Sequence, residues 1–199
     1  MILKDDSFSS IVLAIKQGRI IFENIRKFVI YLLSCNLSEL LIISFSSVMS
    51  LHYALFPLQI LYINLVTDVL PALALGVTEG SDAIMKQPPR NAHEQIIDKK
   101  RWKSIIAYSL VIAICCLGAV FTSHETIHKD ELWNPELCNN ILFITLILCQ
   151  LWHVFNMTTD NSVAFYKSDV FRNKYVWYAT IICLLLTIGA YVIAPVAKV

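Results

Sequence analysis

Charge is scarce in this chain. Only 16% of its 199 residues are Asp, Glu, Lys or Arg, where a soluble domain carries roughly a quarter. The balance is a net charge of +1, which excludes the broad basic field of a nucleic-acid binder. Glycine is also scarce, at five residues. Neither GxxxxGK[ST] nor GxGxxG occurs, so there is no glycine-rich phosphate loop, and there is no internal repeat. No CxxC pair exists among the six cysteines Cys35, Cys115, Cys116, Cys138, Cys149 and Cys183. Most of them fall in apolar runs and read as buried thiols. The first 27 residues are polar and helix-patterned. They contain no apolar h-region, so no secretory signal is read there.

What the chain does have is apolar length. Apolar residues make up 57% and the mean hydropathy is +0.62, the mark of a membrane protein. A helix needs about 20 mainly apolar residues to span a bilayer. Segments of this kind run from about Phe28 to Leu51, Leu58 to Val77, Ser104 to Thr122, Asn140 to Met157 and Val176 to Pro195. Only "HYALFP" separates the first two, and Pro57 suits the first turn of the second, so these two are expected to be antiparallel neighbours. The expected fold is all-α: about five transmembrane helices in an antiparallel bundle (28–199), preceded by a stalk helix (1–27). In the stalk, Ile11, Val12, Ile15, Ile20 and Ile25 suit packing against a larger body, and Ser7, Ser9 or Ser10 is the expected cap.

Loop charge sets the orientation. Lys4, Lys16, Arg19, Arg26 and Lys27 precede the first span. Lys86, Arg90, Lys99, Lys100, Arg101 and Lys103 follow the second, and Lys167, Arg172 and Lys174 follow the fourth. The opposite side holds only Lys129 and Lys198. The N-terminus is therefore expected in the cytoplasm and the C-terminus outside, in a multi-pass protein of the cell membrane. The outer loop "SHETIHKDELWNPE" reads as a solvated connector. Its His124 and His128 have no other ligand type in register, so they are read as polar residues rather than a metal pair. Trp102, Trp133 and Trp177 fall near span ends, where an aromatic belt is expected.

Polar residues inside the spans carry the functional argument, because ionisable groups in hydrocarbon are costly and usually face a protein interior or an ion path. In the first span, Asn36 and Glu39 stand three apart and share a face. In the second, "LYINLVTDVLPALALG" places Asn64, Thr67 and Asp68 at i, i+3 and i+4. Pro71 has no N–H, so the carbonyl of Thr67 lacks its helical partner. Carboxylate, amide, hydroxyl and freed carbonyl oxygens together suit a hard cation such as calcium, which takes six to eight oxygens. Transporters place ions at broken helices of this kind. Asn and Thr also bond between membrane helices as structural glue, but two carboxylates without a counter-ion favour coordination. In the fourth span, "CQLWHVFNM" puts Gln150 and His153 on one face, with Asn156 three further on. Gln150 offers a neutral oxygen. His153 reads as a hydrogen-bonded packing residue ahead of a proton carrier.

These stretches resemble type II P-type ATPases, the calcium pumps above all. "NLVTDVLPALALG" is similar to their sixth span, and "LKDDSFSSIVLAIKQGRIIFENIRKFVIYLLSCNLSELL" to their stalk and fifth span. "DAIMKQPPR" resembles the loop after the sixth span, and "QLWHVFNM" the eighth span. The likeness covers nearly the whole chain. It implies ion-ligand roles for Asn36 and Glu39 and for Asn64, Thr67 and Asp68, with Asp68 shared between two sites in the family. Gln150 stands where the family has a glutamate, which implies a single calcium site. Val69 replaces the usual glycine.

The resemblance also marks what is not here. The DKTGT aspartate, the TGES loop, the TGDGxND hinge, the nucleotide domain and the first four spans with their PEGL ligands have no counterpart. The chain is thus expected to correspond to spans five to nine of a pump and to lack ATP hydrolysis of its own. ATP and magnesium would act only in the full-length pump, calcium would be the transported substrate, and the partners would be the bilayer and the N-terminal half of the pump, with no nucleic acid. The alternative is an independent accessory protein of the membrane, or a pump-interacting subunit without ATPase activity. A weaker third reading is a passive channel whose oligomer rings the carboxylates.

Overall fold

A computed structural model describes residues 8–49, 55–80, 82–86, 88–89, 95–127, 135–158 and 168–192. Its long elements are α1 (Phe8–Val48), α2 (Pro57–Gly76), α3 (Lys99–Ile127), α4 (Pro135–His153), the short α5 (Asp169–Arg172) and α6 (Lys174–Val192). Among the described residues there is no strand. The all-helical expectation holds, and five helices are long and apolar enough to cross a membrane.

Helix α1 is one uninterrupted rod of 41 residues, roughly 60 Å long. No proline breaks it, and its polar lower part passes into the apolar span without a kink-forming residue. Ser9 and Ser10 lie inside this helix rather than at its cap. Ile11, Val12 and Ile15 are exposed on this chain.

Polar side chains fix the helix starts. Pro57 opens α2. Gln59 and Asn139 exchange two amide hydrogen bonds of 2.7 and 3.0 Å, which joins the start of α2 to the start of α4. Asp98 precedes α3 and accepts the Arg101 backbone N–H at 2.9 Å. That bond, ahead of the Arg101 charge, holds the Asp98 carboxyl below the usual carboxylate range. Ser168 caps α5 through Phe171 N–H at 3.1 Å.

Helix α4 is the centre of the bundle. Of its most apolar stretch, 56% is buried, against 33% or less in the other four spans. Around it α1 packs on α3 and on the second half of α2, while α2 packs on α6. Two apolar clusters result. One gathers Ile42, Ile63, Cys116, Leu142, Leu146, Ile147 and Leu151. The other gathers Tyr31, Cys35, Ala72, Leu75, Val154, Phe155 and Val176. Along α1, α2 and α4 the chain crosses from one cluster to the other at residues 35–42, 63–72 and 151–154.

The basic end of α1 is pinned to the loops beside it. Arg19 donates to Ile84 O at 3.0 Å and Arg26 to Ile96 O at 3.2 Å. Asn24 donates to Gly76 O and Thr78 O at 3.1 and 2.8 Å, and Lys27 pairs with Asp169. The basic first part of α1, the loop after α2 and the segment before α6 therefore meet at one end of the bundle. Several expectations fall outside the described residues: Lys4, Ser7, residues 50–51 of the first span, Arg90, His128, Lys129, Trp133, Lys167, residues 193–195 of the last span, and Lys198. The side chain of His124 also lies outside them.

Gly80 sits where the loop after α2 crosses α1. A Cβ added there would meet Ile20 Cγ1 at 2.4 Å and Cδ1 at 2.8 Å, too close for any real pair. Gly80→Ala should lower the thermal midpoint in detergent by the equivalent of about 1–3 kcal/mol, the usual cost of overpacking. Adding Ile20→Ala should restore most of the loss. An unchanged midpoint in the single variant would show that the loop does not rest on the stalk.

Candidate functional site

Where the chain crosses between its two apolar clusters, the buried side chains are polar. Glu39 from α1, Thr67 and Asp68 from α2, and Gln150 from α4 are each at most 4% exposed. The Glu39 carboxylate is fully engaged. Gln150 Nε2 donates to Oε1 at 2.9 Å and Asn64 Nδ2 donates to Oε2 at 3.2 Å, so each oxygen meets an amide from a different helix. Asn64 Nδ2 also reaches Ile60 O at 3.0 Å. Thr67 Oγ1 lies 2.7 Å from Ile63 O and 3.3 Å from Gln150 Oε1. Its single proton serves one of these at a time.

Asp68 contrasts with Glu39. It is 2% exposed, and neither carboxylate oxygen has a hydrogen-bond partner. Its company is the Glu39 carboxylate and the weakly polar Cys35 thiol. Buried polar groups are nearly always partnered, so an orphaned carboxylate this deep marks an acceptor with spare coordination capacity.

The backbone of α2 is specialised at the same height. Residues Ile63–Asp68 form a π-helical turn, a feature found mostly at functional sites. Pro71 supplies no N–H, which would have met Thr67 O in an α register or Val66 O in a π register. Both carbonyls find side-chain donors. Tyr31 OH donates to Thr67 O at 3.1 Å, and the Cys183 thiol donates to Val66 O at 3.1 Å. The carbonyl freed by proline is thus capped from α1.

Asn36 does not join the cluster. It is exposed, and its Nδ2 donates to Leu32 O in its own helix at 2.8 Å. The reason is angular. At about 100° per residue, an i−3 neighbour of Glu39 lies about 60° to one side, while an i−4 neighbour lies only about 40° to the other. The i−4 residue is Cys35, fully buried beside Asp68. Sequence reasoning missed Cys35, Tyr31 and Cys183 as site residues. The i−4 and i−8 steps back from Glu39 were the available signal for the first two.

His153 packs one turn further on. Its Nε2 is 2.9 Å from Ser34 Oγ, and its ring stacks on Tyr31 with centroids at 5.9 Å and meets Tyr108 at a tilt with centroids at 4.7 Å. This is the hydrogen-bonded packing role. Among the described residues no three His, Cys, Asp or Glu side chains converge as a metal cluster. Any cation held here must therefore draw on neutral oxygens from Asn64, Thr67 and Gln150 as well as the carboxylates.

A bundle of five apolar helices with a buried layer of carboxylate and amide groups belongs to the class of multi-pass membrane proteins with an internal polar site. The comparisons narrow this. A family described as cation transporting ATPase, C-terminus, matches residues 52–199, and the chain belongs to that family. It is 36% identical over 203 residues to the calcium-transporting ATPase of Bacillus subtilis, covering all of this chain and 22% of that protein. It is 32% identical over 212 residues to calcium-transporting ATPase 1 of Bacillus cereus, covering all of this chain and 23% of that protein. With a calcium-transporting ATPase of Listeria monocytogenes it shares 34% over 186 residues, 94% of this chain and 20% of the relative. The chain therefore spans about a fifth of the length of these relatives.

The capping of Thr67 O by Tyr31 gives a direct test. Tyr31→Phe keeps the ring and its stacking on His153 but leaves a buried carbonyl without a donor. It should lower stability by about 1–3 kcal/mol, read as thermal unfolding of the detergent-solubilised chain. Unchanged stability would mean that the hydroxyl does not hold the π-helical turn.

Proposed function

We propose that this chain is the ion-binding transmembrane portion of a P-type calcium-transporting ATPase. It would act within a pump whose ATP-hydrolysing domains and first four spans lie elsewhere. The observation that carries the proposal is Asp68, buried at 2% exposure with both oxygens unpartnered, in the same buried layer as a Glu39 carboxylate held by the amides of Asn64 and Gln150. Glu39, Asn64, Thr67, Asp68 and Gln150 are the proposed ligands within the bundle. Asn36, exposed on α1, contributes from the side that the first four spans would face.

Amide side chains make the site switchable. As they stand, Asn64 and Gln150 turn N–H groups to Glu39. Rotating either amide presents its oxygen instead, so an arriving cation replaces the two donors and gathers the carboxylates. Among the described residues the buried carboxylates are Glu39 and Asp68, with Gln150 neutral, which supports one calcium per cycle. ATP and magnesium belong to the remainder of the pump.

Helix α1 provides the mechanical link. It runs unbroken from Phe8 to Val48, so Glu39 rides on the same rod that carries Arg19, Asn24, Arg26 and Lys27 at the loops. A push at Phe8 acts on Glu39 roughly 46 Å away through a stiff helix. With the basic end in the cytoplasm, such movement exposes the site alternately to the two sides of the cell membrane.

The test is to replace the matching region of the Bacillus subtilis relative with this chain and measure ATP-driven calcium uptake into vesicles. Glu39→Gln and Asp68→Asn should each lower calcium affinity by about tenfold or more, since even lost outer contacts cost that much. Leu65→Ala, on an exposed apolar face, should leave uptake unchanged. Carboxylate variants that transport like the parent would sink the proposal.

A further inference from the structure

Among the buried groups that calcium chemistry leaves unused is the Cys35 thiol. It is fully buried, one helical turn before Glu39 on the inward face of α1. Cys35 packs with Tyr31 in the second apolar cluster, and the Asp68 and Glu39 carboxylates are its charged neighbours. Tyr31 OH is engaged with Thr67 O, and the second nearby thiol, Cys183, donates to Val66 O. Asp68 itself has no hydrogen-bond partner. The only sulfur beside Asp68 not engaged with a backbone carbonyl is therefore that of Cys35.

A hard cation gains little from sulfur, because calcium takes oxygen ligands. A borderline or soft divalent ion gains a strong metal–thiolate bond, since thiolate ligands select such metals. Cadmium combines that preference with a size close to calcium. We propose that Cys35 and Asp68 form the core of a mixed sulfur–oxygen site that takes thiophilic divalent cations of calcium-like size. Neutral oxygens of Thr67 and Gln150 complete the site, since among the described residues no three His, Cys, Asp or Glu side chains converge as a metal cluster. The thiolate is the binding form, so cadmium replaces the Cys35 proton, which leaves to solvent as the Cd–S bond forms. The proposal rests on the ion-site reading above and adds the class of cation that the site prefers.

The experiment is a cadmium titration of the full chain in lipid nanodiscs, following the ultraviolet cadmium–thiolate charge-transfer band, with calcium as competitor. The parent should develop one band saturating at one cadmium per chain. Cys35→Ser, which keeps the side-chain size, should lose the band and bind cadmium about tenfold or more weakly, at least the cost of disturbing a ligand's surroundings. Its calcium binding, read by isothermal titration calorimetry, should not change. Cys183→Ser, Cys115→Ser and the Cys116→Ser/Cys149→Ser double variant, which removes the adjacent thiol pair, should keep the band, and Asp68→Asn should lose it.

Absence of any band in the parent, a band that survives Cys35→Ser, or one that follows any other cysteine would each overturn the proposal. So would a band that survives Asp68→Asn. These failures are separable from failure of the ion-site reading. If calorimetric calcium binding is lost in Asp68→Asn while Cys35→Ser changes binding of neither metal, the ion site stands and the sulfur role falls. If neither Asp68→Asn nor Glu39→Gln alters binding of either metal, both fall.

Discussion

The burial of two carboxylates inside an apolar helix bundle governs this structure. Taking an ionised group out of water is expensive unless partners replace the lost hydration. Glu39 has such partners, an amide from α2 and an amide from α4. That pair of bonds fixes the register of three helices against one another, because a shift of one residue in any of them would strand the carboxylate in hydrocarbon. Asp68 has none. Under the proposed function, a cation supplies the partners that Asp68 lacks.

The backbone around Asp68 follows from one proline. Pro71 would leave a helix interior with an unmet carbonyl, a cost that usually kinks or breaks the segment. Here α2 widens into a π-helical turn over Ile63–Asp68, and the hydroxyl of Tyr31 and the thiol of Cys183 fill the vacated donor positions. The same Tyr31 packs on His153, which bonds Ser34. Side chains from α1, α4 and α6 thus hold the widened turn, and the polar layer becomes a rigid platform between two apolar clusters rather than a loose cavity. The stalk end, latched by Arg19, Asn24, Arg26 and Lys27, sits on the same rod as Glu39.

Much of this was legible in the residues. Apolar length alone marked the five spans, because a bilayer leaves helix as nearly the only economical solution for an isolated segment. Periodicity placed Thr67 and Asp68 inward together, and the cost of intramembrane charge singled out Glu39 and Asp68. Other features depended on neighbours the sequence does not show. Asn36 shares a nominal face with Glu39, yet the helix turns it outward and Cys35 inward, a choice made by the helices packed on α1. The π register at Asp68 is a tertiary bargain among Pro71, Tyr31 and Cys183, residues from three separate helices. The thiols looked like inert apolar filler because composition cannot tell a packed cysteine from one facing a carboxylate.

The central claim is that Asp68 and Glu39 close on a dehydrated cation. The most direct measurement is an experimental structure of the protein with a calcium surrogate that scatters anomalously. The account predicts a peak between the two carboxylates, with oxygens of Asp68 and Glu39 about 2.3–2.6 Å from it and the amides of Asn64 and Gln150 rotated to present oxygen. A structure with no peak there, and with Asp68 turned to lipid or satisfied by a protein donor, would contradict it.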